Sequence, residues 1–109
     1  MKEKQAIQMM AALSQETRLR IVRYLVRRGA QGASAGEIGI KVKAASSRAS
    51  FHLSALEQAG VISSERQSRH IIYRAEVKKL GRLMSFLLND CCNDDPEIWA
   101  CCLNKRDCC

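Results

Sequence analysis

The chain begins with apolar residues that recur at the period of an α-helix. Residues 5–13 predict a short amphipathic first helix, and a second helix follows, capped by Ser14 and stopped by Gly29. The apolar stripe expected on the second helix consists of Leu19, Val22, Leu25 and Val26. Both helices should therefore bury one side against a common core.

Local start signals mark two further helices. Residues 34–37 have the Ser-x-x-Glu spacing of a capping box, in which Ser34 and Glu37 each satisfy a free backbone N–H group. The helix that follows has its inward positions at Ala49, Leu53 and Leu56. Two short helices joined by a few residues are typical of a helix-turn-helix.

After residue 60 the spacing of the apolar residues changes to the alternation that is typical of β-strands. Residues 61–65 and 71–74 predict a hairpin, and a last helix begins at Glu76. The broad apolar face of this helix contains Val77, Leu80, Leu83, Met84, Leu87 and Leu88. Such a face is too wide to leave in water. We therefore predict a mainly α winged helix-turn-helix with a small β-hairpin, paired as a homodimer through the first and last helices.

Composition and charge indicate the size of the domain and the kind of partner that it binds. A chain of 109 residues with 47% apolar side chains fits one domain with a modest core. Residues 1–75 contain thirteen Lys and Arg against five Asp and Glu, whereas residues 76–109 contain five against six. A basic excess confined to one part favours a polyanion such as DNA. The sequence has no leader-like or membrane-length apolar segment, which predicts a cytoplasmic protein with no membrane partner.

Candidate DNA contacts lie at the start of the second helix of the helix-turn-helix and on the wing. They are Ser46, Ser47, Arg48, Ser50 and His52 on the helix, and Arg66, Arg69 and His70 on the wing. Small hydroxyl groups let the helix backbone approach base edges, and Arg48 can pair with guanine or phosphate. Several alternatives remain open. Ser46 and Ser47 can instead cap the helix, His52 can be a hydrogen-bonded scaffold residue, and the arginines can be plain surface charges.

Three segments resemble the arsenic-repressor (ArsR) family of small bacterial metal-responsive regulators. They are LSQETRLRIVRYL at residues 13–25, SFHLSALEQAGVI at 50–62, and the Arg-x-x-Arg wing with Tyr73. The resemblance implies a homodimeric transcriptional repressor that leaves its operator when a metal binds to thiols or nitrogens. A dimer would present two recognition helices about 34 Å apart, so the operator should be an inverted repeat.

The chain departs from the family pattern at several positions. Glu16 occupies the position of the family's usual proline. Ser68 occupies the position of the usual wing-tip glycine, so the hairpin requires either a serine in a strained conformation or another turn type. The family's cysteine pair before the recognition helix falls on Ser34 and Gly36, and residues 76–90 contain no histidine for a last-helix zinc site. Both of those metal sites are therefore absent.

The remaining candidate metal ligands are six cysteines, all of which lie after residue 90. Cys91 and Cys92 are adjacent, and Pro96 stops the helix, so the next segment can fold back and deliver a third sulfur from Cys101 or Cys102. Thiolate-only coordination selects soft ions, and trivalent arsenic or antimony needs three sulfurs. Some family members carry a similar arrangement here, which implies an arsenite site. The sequence thus predicts a DNA-binding and dimerisation domain over residues 1–90 and a sensing tail over 91–109, with arsenic or antimony as inducer and no permanent cofactor.

Other interpretations of the tail stay open. Structural zinc would prefer C-x-x-C spacing, whereas a redox switch would join one member of each cysteine pair in a disulfide. A thiol-rich metal-scavenging protein would not need DNA, and the tail can also be incidental. An enzyme is not expected, because both histidines lie in the DNA-facing half. Cys108 and Cys109 should be spare, since a frayed terminus fixes ligands poorly.

Overall fold

The structure is a computed structural model and describes residues 1–103. Its helices are α1 (Glu3–Leu13), α2 (Glu16–Arg28), α3 (Ala35–Val42), α4 (Ser46–Gln58), α5 (Val77–Ser85) and α6 (Pro96–Leu103). Its strands are β1 (Ala33–Ser34), β2 (Ile62–Gln67) and β3 (His70–Ala75). The predicted fold class is confirmed: the protein is mainly α-helical, and its helices and strands follow one another in the order of a winged helix-turn-helix. Cys108 and Cys109 lie outside the described residues.

Helix α2 begins one position later than the sequence suggests. Its cap is Gln15, whose side-chain oxygen accepts a hydrogen bond from the Arg18 backbone N–H at 2.8 Å. The Ser14 hydroxyl instead donates to the Ala11 carbonyl oxygen at 3.0 Å, so the predicted Ser14 cap is wrong. Gly29 ends the helix with a φ of 60°, as predicted.

The buried side of α2 is formed by Ile21, Val22 and Leu25. Leu19 and Val26, which the sequence pattern put on this stripe, are each 46% exposed. They lie at its edges, because Ile21 and Leu25, one turn apart, set its centre. Helix α1 packs against the same core with Ala6, Met9 and Ala12.

Helices α3 and α4 form as predicted. The Ser34 hydroxyl accepts a hydrogen bond from the Glu37 backbone N–H at 3.2 Å, and the Glu37 carboxylate accepts one from the Ser34 backbone N–H at 3.0 Å. These two bonds complete the capping box. Lys43 takes a left-handed conformation, with a φ of 57°, and turns the chain from α3 towards α4. The predicted inward residues Ala49, Leu53 and Leu56 are all buried.

A short strand that the sequence pattern did not indicate completes the wing. Strand β1 pairs antiparallel with β3, which also pairs with β2, so the sheet has the order β1-β3-β2. The close pairing depends on Gly32, since a Cβ atom there would lie 2.5 Å from the Tyr73 carbonyl oxygen. The wing is thereby anchored to the residues just before α3.

The wing hairpin is tighter than predicted. Strands β2 and β3 stay paired out to Gln67 and His70, so the turn contains only Ser68 and Arg69. Ser68 has a φ of 59°, in the region that favours glycine. Of the two alternatives for this position, the strained serine is therefore the correct one.

Ser68→Gly is expected to stabilise the protein. Glycine adopts positive φ without the steric cost of a Cβ atom, so the free energy of unfolding should rise by about 1 kcal/mol. Urea unfolding followed by circular dichroism measures this change. Ser63→Gly, within β2, is the control and should lower the stability. A lower or unchanged value for Ser68→Gly would show that the turn is not strained.

The last predicted helix is not α-helical throughout. After α5 the chain continues as a π-helical turn over Phe86–Cys91, and the Cys92 backbone N–H bonds to the Leu87 carbonyl oxygen at 2.9 Å. Asn93 and Asp94 then take positive φ values of 51° and 55°, and α6 begins directly afterwards. Turns of the π type are rare and are found frequently at functional sites.

Helix α5 joins the core through one fully buried side chain, Leu83. Leu80, Phe86 and Leu87 are partly buried against the same core. Val77 and Met84 remain 58% and 49% exposed, so one chain covers only part of the predicted apolar face. Among residues 1–103, no helix combines the length and the apolar character needed to cross a membrane.

Candidate nucleic-acid interface and thiol cluster

The start of α4 presents polar side chains to solvent. Ser46, Ser47, Arg48 and Ser50 are all exposed, as a groove-facing helix requires. The cap position is Ala45, and the helix start has no side-chain cap. The alternative that Ser46 or Ser47 caps α4 is therefore wrong, and both hydroxyls face outwards.

An aromatic ring interrupts this polar face. Ser47, Phe51, Ser54 and Gln58 follow one another at spacings of four, three and four residues, and all four are exposed. This spacing puts them on one side of α4, opposite its buried residues. Phe51 is 65% exposed. The contacts proposed from the sequence omit Phe51, although its distance of one turn from Ser47 was a usable signal.

His52 belongs to the interior and not to the DNA-facing surface. It is only 7% exposed, and its Nδ1 accepts a hydrogen bond from Arg18 Nε at 3.1 Å. An accepting Nδ1 requires a neutral ring with its proton on Nε2. The predicted DNA contact by His52 is corrected accordingly: this side chain connects α4 to α2 behind the contact surface. Arg18, its partner, is a residue that the sequence pattern did not single out.

Acidification is expected to weaken the fold through His52. Burial lowers the pKa of His52 below its ordinary value of 6.5, and the charges of Arg18 and Arg48 lower it further. The unfolded chain therefore binds this proton more readily than the folded protein does. The stabilising contribution is complete above about pH 6.5 and is lost as the pH falls towards the lower pKa of the folded state.

Urea unfolding measured between about pH 7.5 and pH 5 tests this dependence. His52→Gln keeps an oxygen that can accept the Arg18 hydrogen bond but does not titrate. The free energy of unfolding should fall less with acidification in this variant than in the wild type. Equal slopes in both proteins would contradict the role given to His52.

The wing carries free cations at its tip. The exposed side chains there are Arg66, Arg69 and His70. Within the described part of the chain neither arginine forms an ion pair. Arg74 at the wing base is differently placed, since it contacts Glu65 at 2.9 Å and the Ala30 carbonyl oxygen at 2.7 Å. The tip charges can therefore meet phosphate or the minor groove, while Arg74 holds the wing in place.

The thiol groups lie near the other end of the chain. Cys91, Cys92 and Cys102 are free thiols, whereas Cys101 is disulfide-bonded. Burial raises the pKa of the Cys92 thiol, and its hydrogen bond with Cys91 and the charges of Cys91, Asp95 and Cys102 raise it further. Both other free thiols thus interact with Cys92. Among residues 1–103, no three Cys, His, Asp or Glu side chains already form a geometry that could hold a metal ion.

A capped turn separates the adjacent cysteines from α6. The Asp95 side chain accepts a hydrogen bond from the Glu97 backbone N–H at 2.9 Å, and Pro96 occupies the first helical position. The Trp99 Nε1 donates to the Asp94 carboxylate at 3.1 Å. The only tryptophan of the chain is therefore an anchor for this turn.

The geometry of residues 34–75 defines the class of protein. A helix with an exposed polar face, a second helix packed beside it and a cation-tipped wing form a winged helix-turn-helix of the DNA-binding regulators. Comparison with known proteins agrees with this class. Residues 13–65 match the family model of a helix-turn-helix domain.

Three known proteins show the relationship. The chain is 30% identical over 93 residues to the uncharacterized HTH-type transcriptional regulator YbzH of Bacillus subtilis, with 74% of this chain and 93% of YbzH covered. An ArsR-like transcriptional regulator from Rhodococcus sp. RHA1 is 28% identical, with 89% of each chain covered and a TM-score of 0.74. The homodimeric winged helix-turn-helix DNA-binding domain of Mb0332 from Mycobacterium bovis, a possible ArsR-family regulator, is 26% identical, with 77% and 75% covered and a TM-score of 0.64. The chain belongs to the ArsR family of winged helix-turn-helix transcriptional regulators.

Proposed function

We propose that the protein is a homodimeric repressor that leaves its operator when trivalent arsenic or antimony binds the thiolates of Cys91, Cys92 and Cys102. One observation carries the proposal: three free thiols, of which those of Cys91 and Cys102 both interact with that of Cys92, follow a helix whose apolar face is only partly covered by its own chain. The inducer would then bind at the end of the same helical segment that forms the dimer contact. Because the thiols must stay reduced to bind such an ion, the cytoplasm is the compartment that suits this function.

A three-sulfur set suits a soft trivalent ion. Thiolates select soft ions over hard ones, and the thiol proton must leave when the ion binds. In arsenite, As(OH)3, each new As–S bond replaces an As–O bond, and the proton of the thiol leaves with the displaced hydroxide as water. Since residues 1–103 hold no ready-made three-ligand geometry, the ion would draw Cys102 towards the adjacent pair. A ligand that changes the shape of its site has the differential affinity that a switch requires.

The dimer surface that we propose is an interface stripe on α5 made of Val77, Gly81 and Met84. These residues are spaced by four and three positions and lie on one side of the helix. Val77 and Met84 are 58% and 49% exposed, and Ile7 on α1 is 54% exposed. Apart from the backbone of α5 itself and the neighbours of Gly81 in the chain, no atom of residues 1–103 lies within 4 Å of the place that a Cβ atom on Gly81 would take, so a second helix can approach there. The similar Mb0332 domain is homodimeric, which supports the pairing.

The π-helical turn is our proposed link between the thiols and the dimer surface. Its Phe86 and Leu87 side chains are packed against the core, and with Ile7 and Met10 of α1 they line a groove that reaches Cys91. A pull on the thiol pair would rearrange this turn against α1 and change the spacing of the two α4 helices. A preference of about 1–3 kcal/mol per site for the DNA-incompetent shape is enough to release an operator.

Operator release separates the possible inducers. A duplex operator is first selected from a random-sequence library with the reduced protein. Binding of wild type and of the Cys91→Ser/Cys92→Ser double variant is then measured in arsenite, zinc and hydrogen peroxide. Arsenite should weaken wild-type binding at least about tenfold and leave the double variant bound. Arsenite release of both proteins would show that the sensing site is elsewhere, and release of wild type by zinc alone would make zinc the inducer.

A redox-sensing repressor is the second candidate. It is favoured by the disulfide at Cys101, which lies next to the free thiol of Cys102. Thiols near a disulfide can exchange with it, which would change which cysteine of α6 is disulfide-bonded. In that case peroxide would release the operator from wild type, dithiothreitol would restore binding, and arsenite would have little effect on the oxidised protein.

A further inference from the structure

Phe51 is the one large apolar side chain on the outward line of α4. The other residues of that line, Ser47, Ser54 and Gln58, are polar, and Phe51 is 65% exposed between them. The inward stripe of the helix has its own apolar residues, so the core does not require this ring. An exposed phenylalanine at the centre of a groove-facing surface calls for an apolar group on the ligand.

The ring of Phe51 is held in place by its neighbours. The Arg18 guanidinium carbon lies 5.7 Å from the ring centroid, within the range of a cation–π contact. Arg18 is itself fixed by the 3.1 Å hydrogen bond from its Nε to the buried His52. The ring is therefore supported on one side and open to the solvent on the other.

The major groove of DNA offers one apolar group on its base edges, the C5-methyl group of thymine. Small serines around Phe51 let α4 approach the bases closely enough for the ring to touch it. We infer that Phe51 is a specificity-determining residue that recognises thymine by contact with this methyl group. The inference rests on the DNA-reading part of the proposed function and does not depend on the inducer.

Removal of the methyl group from the DNA tests the contact directly. In the operator selected from the random library, each thymine is replaced in turn by deoxyuridine, which keeps every hydrogen-bonding group. At one or two positions in each half-site, wild type should bind about fourfold more weakly, the loss expected for one buried methyl group. Phe51→Ala should bind the thymine operator more weakly than wild type and show no deoxyuridine penalty at those positions.

Two further variants control the result. Val26→Ala truncates another partly exposed apolar side chain, on α2, and should keep the full wild-type pattern of penalties. Phe51→Leu keeps an apolar contact and should retain part of the penalty if Phe51→Ala proves too unstable to measure. Two results would overturn the inference: an equal loss of affinity on deoxyuridine replacement in wild type and in both Phe51 variants, or no loss at any thymine in wild type. In either case the exposed ring would be available for contact with another protein instead of DNA. If wild type enriches no sequence from the library, the DNA-reading function itself fails, whatever arsenite does.

Discussion

Met84→Asp is expected to turn the protein into a folded monomer and to weaken operator binding at least about a hundredfold. An unpaired carboxylate buried in an apolar interface costs several kcal/mol, and two-fold symmetry places two of them in the same interface. Each 1.4 kcal/mol corresponds to a factor of ten in binding. Loss of the dimer also removes the second half-site contact from every bound operator.

The position of Met84 makes the variant selective for association. Its side chain is 49% exposed in the single chain, whereas the adjacent Leu83 is fully buried. A charge at residue 84 can therefore stay in solvent in the monomer and leave the core intact. A charge at residue 83 would instead unfold the domain.

Analytical ultracentrifugation gives the oligomeric state, and fluorescence anisotropy gives the affinity for the selected operator. Met84→Leu, which keeps the apolar volume, should remain dimeric and bind like wild type. Circular dichroism should show the same helix content in all three proteins. A dimeric Met84→Asp protein with wild-type affinity would show that α5 does not form the interface.

Elements with local causes could be predicted from the sequence. The capping box at Ser34 and Glu37, the glycine stop at Gly29 and the inward stripe of α4 depend on residues within one or two turns of each other. Such signals are complete within a short window, so the winged helix-turn-helix follows from them.

Features that depend on distant partners could not be predicted in the same way. His52 is a scaffold residue because Arg18, 34 positions earlier, donates to its ring. Strand β1 exists because Gly32 lets the chain approach Tyr73. The π-helical turn is also unmarked, since residues 76–92 have a continuous helical pattern and nothing local distinguishes i→i+5 from i→i+4 bonding.

Cys102→Ser is expected to raise the arsenite concentration needed for half-release of the operator at least about a hundredfold. Loss of even a supporting group around a metal lowers affinity by about 10- to 100-fold, and loss of a ligand should cost more. Cys101→Ser, one residue away on α6, should change the arsenite response by less than about threefold, because the α6 thiol that interacts with Cys92 is that of Cys102. The two variants make the same chemical change at adjacent positions, so each is the control for the other.

Operator binding without arsenite provides the internal reference, since serine is close to cysteine in size and both positions lie outside the winged helix-turn-helix. Both variants should bind the operator like wild type in reducing buffer. A large loss of response in Cys101→Ser with a normal response in Cys102→Ser would make Cys101 the third ligand. A normal response in both would mean that the adjacent pair Cys91 and Cys92 is sufficient, and that the fold-back into α6 serves the stability of the tail and not the coordination of the ion.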